Sequence, residues 1–464
     1  MKNYLTLFLT LFLLIILSLL VSVQRQISLS RGQNNKVILI SADAVSASHV
    51  GIYGYERETT PNIDKLAREG IFFENAYSPT PWTLPAHTSM LNGLHPFDNE
   101  IFNNQYIFRV PEKTLLTTLF KNNGYKTAAF VGAELLGYNF FQKDFDVFIS
   151  PKEGEHFIKD MTITNEFLPW LEENYKEDFF VFIHYFQAAE YNRRECNPFF
   201  TTNMKRPTKE IFIEKGVGEF MCVSCTNELA KYYKEETEFL KASYDDNIRC
   251  VDKNIEKIIE SLKDLNIYDN TTIIIVSDHG TGFNHSFFQG TNLYEESVRI
   301  PFIIKSPLLE KTNHKIDYLI SLQDVFPILI RAFDLDNKKN PTDNNLYSII
   351  KKKIGNRKDL FLMAPSIGLA CNMEDTTLKL KDYPHILKQE CIEKGKDPFI
   401  YRALINDNKK IIFSNKDIEL YDLKKDRLEQ NNLAEDPRYS NFILESEEKI
   451  KSFFYPPKEV FIFD

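Results

Sequence analysis

The stretch YDDNIRCVDKNIEKIIESLKDLNIYDNTTIIIVSDHG, Tyr244–Gly280, holds two periodicities in one run. Its first part reads as a long amphipathic helix. After the turn at YDN it changes to TTIIIV, a short β-branched run of the kind buried on both faces of a parallel sheet. A helix feeding directly into such a strand is the repeating unit of an α/β fold. The same alternation extends outward. KVILISAD (36–43) reads as a strand and PNIDKLAREG (61–70) as a helix stopped by Gly70. KTLLTTLFKNNG (113–124) is a second helix, YKTAAFV (125–131) a strand, and DFFVFIHYF (178–186) a strongly apolar strand. The pattern predicts a large, mostly parallel sheet flanked by helices.

Residues 190–235 break this rhythm and read as a surface insertion. Beyond about residue 335 the strands shorten, as in KKIIFS and IELYDL, and a charged helix closes the chain. The expected organisation is a catalytic-sized domain over 36–335 and a smaller α+β subdomain over 336–464. The chain has 464 residues, of which 43% are hydrophobic, enough for one large core. Its net charge of −9 offers no basic footprint, which argues against nucleic acid as a partner.

The segment Tyr4–Val23, YLTLFLTLFLLIILSLLVSV, carries no charge. At about 1.5 Å per residue, a helix of this length spans a hydrocarbon core of about 30 Å. Residues 1–23 read as a membrane anchor or a signal peptide, and 24–35 as a polar linker. The apolar run exceeds a usual signal core and no clean cleavage site follows, so the anchor is the favoured reading. The domain is expected outside the cytoplasm, although Arg25, Arg31 and Lys36 after the span argue mildly against that orientation. Six cysteines include a C-x-x-C at Cys222 and Cys225 with Cys196 upstream. No further ligands make that a zinc site, so disulfides are the better reading outside the cytoplasm. Cys250 reads as a core residue.

In an open parallel sheet, sites form beyond the carboxyl ends of the strands. Asp43 ends one strand; Asp278 and His279 end another. Each aspartate alone could be a helix cap. Together they make a first set of ligands for a divalent cation. PTPWTLPAHTSMLNG (79–93) adds Thr83, at or next to the N-cap of a short helix closed by Gly93. Thr83 is either a plain cap or a nucleophile, because a helix N-terminus favours both an alkoxide and a bound oxyanion.

The chain resembles the sulfatases of the alkaline phosphatase superfamily. The resemblance is carried by residues 36–93, from KVILISADAVSASHVGIYGY to TLPAHTSMLNG, and by NNGYKTAAFV, DFDVF, the 244–280 stretch, LYEESVRIPFIIKSP, SLQDVFPILI and ELYDLKKDRLEQNNLAEDPRY. It implies an alkaline-phosphatase-like fold and a metal-bound nucleophile attacking sulfur or phosphorus in line. Typical sulfatases carry Cys or Ser in C/S-x-P-x-R, oxidised to formylglycine. TLPAH places Thr83 at the nucleophile and His87 at the arginine. Threonine cannot yield that aldehyde, but it is the nucleophile of relatives that transfer phosphoglycerol or phosphoethanolamine. The resemblance implies one metal on Asp43, Thr83, Asp278 and His279.

Several positions depart from the family. Ala44 stands for a second aspartate, which with His279 shifts the expected ion from the calcium of sulfatases towards Mn2+ or Zn2+. Gly132 and Glu134 replace a Lys and a His, Gln187–Ala189 replace a D-P-H, and Gln289 replaces a Lys or His. His87, His184 and His285 are the available substitutes around the oxyanion; His184 reads equally as a core histidine and His87 as a helix stabiliser. The expectation is a membrane-anchored, metal-dependent hydrolase or transferase acting on sulfate or phosphate esters of a glycan or lipid headgroup, with Thr83, His87 and His285 catalytic. The alternative is a degenerate relative that binds such a headgroup without turnover. The complete metal set argues against it.

Overall fold

The structure, a computed structural model, describes residues 35–454 apart from 103, 105–113, 138, 153, 191–196, 205–233, 286–291, 310–313, 337–345, 366–398 and 415–416. The apolar run 4–23, Cys196, Cys222, Cys225 and Gln289 lie outside the described residues. Among the described residues no helix is long and apolar enough to cross a membrane.

The main sheet is built from β1 (Lys36–Ala42), β2 (Ile71–Tyr77), β3 (Lys126–Val131), β4 (Val147–Ile149), β5 (Phe179–Tyr185), β6 (Thr271–Val276), β7 (Phe302–Lys305) and β8 (Lys315–Ser321). These eight strands lie in the order β4-β3-β5-β1-β6-β7-β2-β8. Strand β7 runs antiparallel to both neighbours, and every other pairing is parallel. The mostly parallel sheet expected from the sequence is therefore present.

Side chains alternate between two buried layers, as the pleat requires. Val37, Leu39, Phe180, Phe182, Ile274 and Val276 face one layer, shared with α2 (Thr83–Asn92), α3 (Leu116–Asn122) and α7 (Val325–Ala332). Ile38, Ile40, Val181, Ile183, Ile273 and Ile275 face the other, shared with α1 (Pro61–Glu69), α4 (Asp160–Asn174) and α5 (Lys234–Asp264). Because both faces are covered, the strands read as unbroken apolar runs. Helix α5 starts ten residues before Tyr244, in KEETEFLKAS, whose Lys, Glu, Leu and Ala are strong helix formers. Asp252 of α5 accepts the N–H groups of Asn62 and Ile63, capping α1 from outside. Cys250, on the same helix, is buried as expected but is disulfide-bonded, with its partner outside the described residues.

A second, antiparallel sheet contains β9 (Asp359–Pro365), β10 (Phe399–Asn406), β11 (Lys409–Ser414) and β12 (Ile418–Asp422), in the order β12-β11-β10-β9. One face packs under α9 (Ser440–Phe454) through Leu404, Ile411, Leu420, Ile450 and Phe454, together with Phe97 and Phe102. The other packs Leu362, Ala403, Ile405 and Ile412 against Tyr77, Leu293 and Val298 of the larger part. Ions reinforce this junction. The Lys410 ammonium, with a side chain 0% exposed, lies 3.1 Å from Glu295 and 2.7 Å from Glu429. Arg427 pairs with Glu295 at 3.2 Å and Glu74 at 3.4 Å. The Met363 N–H donates to the Pro79 carbonyl at 2.9 Å, so β9 also touches the loop that leads to Thr83.

Candidate active site

Parallel pairing of β5, β1 and β6 sets their carboxyl ends side by side, with Ser41 opposite both His184 and Val276. The chain beyond β1 delivers Asp43, and that beyond β6 delivers Asp278 and His279. Helix α2 follows β2 and begins at Thr83 itself. All four residues are buried, with exposures of 0%, 0%, 1% and 4%.

Each carboxylate has one oxygen occupied and one left over. Asp278 Oδ1 accepts the N–H groups of Ala44 at 3.0 Å and His279 at 2.9 Å. Asp43 Oδ2 accepts from His184 Nε2 at 3.1 Å. Asp43 Oδ1 and Asp278 Oδ2 are buried without a hydrogen-bond partner. His279 Nδ1 is 3.0 Å from the Gly280 carbonyl, which can only accept, so Nδ1 carries the proton and Nε2 presents a lone pair. That lone pair lies 3.2 Å from Thr83 Oγ1, 3.4 Å from Asp278 Oδ2 and 3.8 Å from Asp43 Oδ1. Ligands about 2.1 Å from one tetrahedral ion stand about 3.4 Å apart, which matches this spacing. Asp43, Asp278 and His279 can place one ligand atom each within 4.8 Å of one another. Two orphaned carboxylate oxygens and an imidazole lone pair fit a divalent cation, with Thr83 beside them.

Thr83 caps nothing. The N-cap of α2 is Trp82, and no side-chain cap bond is formed. The Thr83 hydroxyl instead meets His279 and the Asp43 carboxylate. The adjacent Leu84 N–H is taken by Asn104 Oδ1 at 2.8 Å. Ala44 sits at φ 61°, a left-handed conformation uncommon for alanine. It is fixed by its N–H on Asp278 and by its carbonyl, which accepts from Tyr244 and Thr281. A Cβ on Gly280 would meet the Glu296 carbonyl oxygen at 2.2 Å, so only glycine lets the chain after His279 pass.

Burial and the neighbouring Asp278 push the Asp43 carboxyl well above the ordinary carboxylate range. Burial acts the same way on Asp278, but His279, His87 and the Ala44 N–H outweigh it, and Asp278 stays below its ordinary value. The two carboxyls thus share charge unequally, as close buried pairs do when no cation lies between them.

The remaining expected residues divide. His184 is no mere core histidine: it holds the Asp43 carboxylate in place. His87 reaches the cluster, with Nδ1 3.7 Å from Asp278 Oδ2, but its ring faces protein on both sides. Nδ1 meets the Thr83 carbonyl at 2.7 Å, and Nε2 meets Ser41 Oγ at 2.9 Å. Burial holds it down to about 3, so it is neutral. Both its ring nitrogens are engaged within the protein. His285 makes a separate set of contacts. Its Nε2 donates to the Glu429 carbonyl at 3.0 Å, its ring stacks on Tyr294 at 3.9 Å, and Nδ1 is 3.5 Å from Glu296. These contacts tie it to Glu429, Tyr294 and Glu296. Gly132 packs on the His184 carbonyl, and Glu134 is 46% exposed beside His156. Sequence reasoning missed Ser41 and Asn104. Ser41 had a signal, a polar residue interrupting KVILI on the face that meets α2; Asn104 had none.

Fold and site together define an alkaline-phosphatase-like α/β protein with a candidate metal site at the carboxyl ends of its main sheet. The family model for Sulfatase matches residues 35–335, and the chain belongs to the sulfatase family of ester hydrolases. It is 26% identical over 439 residues to an ulvan-active sulfatase of Formosa agariphila, covering 90% of this chain and 79% of that protein. It is 23% identical to a Δ4,5-hexuronate-2-O-sulfatase of Bacteroides thetaiotaomicron, covering 88% and 86%. A phosphonate monoester hydrolase of Agrobacterium radiobacter shares the fold, with a TM-score of 0.65, 17% identity and 90% and 95% coverage.

Proposed function

We propose that this chain cleaves a sulfate or phosphate ester of a glycan or lipid headgroup, using Thr83 as the nucleophile at a divalent metal. The observation that carries the reading is the Thr83 hydroxyl, which caps no helix and points at His279 and Asp43. Asp43, Thr83, Asp278 and His279 would hold the ion. Bound there, a divalent ion supplies Lewis acidity that lowers the hydroxyl pKa and neutralises the two carboxylates. The chain's own groups do the rest. His279 Nε2, 3.2 Å from Thr83 Oγ1, keeps the hydroxyl within the cluster. His184 keeps Asp43 Oδ2 engaged, which leaves Oδ1 for the ion. Burial excludes water from the attacking oxygen. As the bond from Thr83 Oγ1 to sulfur or phosphorus forms, the bond to the ester oxygen breaks, and the proton given up by the Thr83 hydroxyl balances the one that the departing oxygen takes up. Threonine cannot expel its adduct through an aldehyde, so water or an acceptor alcohol must release it by a second displacement.

The relatives named for ulvan and for hexuronate 2-O-sulfate favour an anionic glycan. Residues 4–23 are proposed to anchor the domain outside the cytoplasm, supported by the disulfide at Cys250, a bond that persists in oxidising compartments. Alkaline carbonate washing should leave the full-length chain with the membranes; its release would count against the anchor. Activity is tested on chelated protein resupplied with Mn2+, Zn2+ or Ca2+ and offered aryl sulfate, phosphate monoester, phosphodiester and sulfated oligosaccharides. Thr83→Ala should lose several orders of magnitude of turnover at an unchanged melting temperature. Quenched wild type should show a sulfo or phospho adduct on Thr83. Near-normal turnover by the alanine variant would sink the assignment.

A further inference from the structure

We propose that His87 is a positioning residue, a strut from the end of β1 to the first turn of α2 that sets the Thr83 hydroxyl against Asp43. This rests on the reading of Thr83 as the nucleophile. Resemblance alone would hand the His87 position the task of gripping the substrate's oxyanion. The hydrogen bonds give it another. A carbonyl oxygen only accepts, so the 2.7 Å contact with the Thr83 carbonyl fixes the proton on His87 Nδ1. Nε2 then carries the lone pair, and the Ser41 hydroxyl donates to it at 2.9 Å. Both ring nitrogens are thereby used within the protein.

The ring has no open edge. His87, Ser41 and His184 are each 0% exposed, and the His87 ring stands T-shaped on His184 at 4.8 Å and on Phe182 at 5.9 Å. The strut joins the two elements that must be registered. Ser41 lies two residues before Asp43 on the same chain, whose Asp43 N–H is fixed to the Tyr185 carbonyl at 2.8 Å. The far end grips the peptide carbonyl of Thr83 itself. An arginine here would reach out to an anion; the shorter imidazole reaches sideways to the strand.

The test uses the full chain with Ser41→Ala, His87→Asn, His87→Ala and the double variant Ser41→Ala/His87→Ala. Asparagine keeps a donor near the Nδ1 position but loses the partner of Ser41. If His87 is a strut, Ser41→Ala and His87→Asn each lower kcat about tenfold and His87→Ala roughly a hundredfold, the scale of small misplacements of a reacting atom. KM and inhibition by inorganic phosphate or sulfate should hold within about twofold. The double variant should be no worse than His87→Ala, because one strut is broken only once. Calorimetric titration with Mn2+ should weaken in the same order. That readout needs no turnover, so it tests the strut even if Thr83→Ala proves active and the nucleophile reading falls. A silent Ser41→Ala together with a large rise in KM and loss of phosphate inhibition in both His87 variants would overturn the proposal and make His87 an anion holder. Additive losses in the double variant, or unchanged Mn2+ affinity throughout, would also overturn it.

Discussion

Asp43 and Asp278 are placed to attract a cation and to repel each other without one. Burial and Asp278 raise the Asp43 carboxyl, so the folded state prefers it protonated. Stability from that preference is present at low pH and is lost as pH rises from the ordinary carboxylate range through the folded value. Asp43→Asn removes the conflict. Chelated Asp43→Asn should therefore melt higher than chelated wild type at neutral pH. Saturating Mn2+ should raise the wild-type melt, by about 2.7 kcal/mol of stability at a hundredfold excess over Kd, and leave the variant almost unmoved. A metal-induced rise of equal size in both proteins would remove Asp43 from the ligand set. Asp43, Asp278 and His279 were visible in the sequence because they end apolar strands. The pairings around them were not. His184 stood out as a residue, but its bond to Asp43, like those of Ser41 to His87 and of Asn104 to the Leu84 N–H, exists only once the sheet is assembled.

At the scale of elements, β-branched and aromatic runs announced β1, β3, β5 and β6, since strands buried on both faces cannot hide polar residues. The antiparallel insertion of β7 was not announced, because FIIK reads the same in either direction. Strand β7 ends at Lys305, whose ammonium is buried under β6 and donates to the carbonyls of Tyr268 and Thr271. Burial lowers it from 10.5 to about 8. A lysine depressed on folding opposes the folded state while it must stay charged, and that opposition fades as pH climbs from about 8 to 10.5. Lys305→Met has no such dependence. Wild type should therefore gain on Lys305→Met in parallel melts across that window. A constant gap would mean that Lys305 is solvated in the folded protein. The loop after Asp278 and His279 was equally unannounced: Glu296 gathers the N–H groups of Phe283, Asn284 and His285, and His285 donates onward to the Glu429 carbonyl.

For the whole molecule, the junction between the two sheets centres on Lys410. Its ammonium serves both Glu295 and Glu429, and burial pushes Glu429 up to about 7 despite that neighbour. Lys410→Met leaves two buried carboxylates facing each other, and breaking a buried pair in this way costs about 3–5 kcal/mol. The variant should melt markedly lower, and adding Glu429→Gln should recover part of the loss. An unchanged melt would show that the junction tolerates water. The same junction bears on how the protein is made. Thr83 emerges from the ribosome early, but the β9 backbone that steadies its loop and the Lys410, Arg427 and Glu429 charges that close the junction come hundreds of residues later. Synthesis at about 5–20 residues per second leaves the N-terminal part waiting tens of seconds for its last supports. A chain halted before β9 should therefore lack the backbone bond that steadies the loop leading to Thr83.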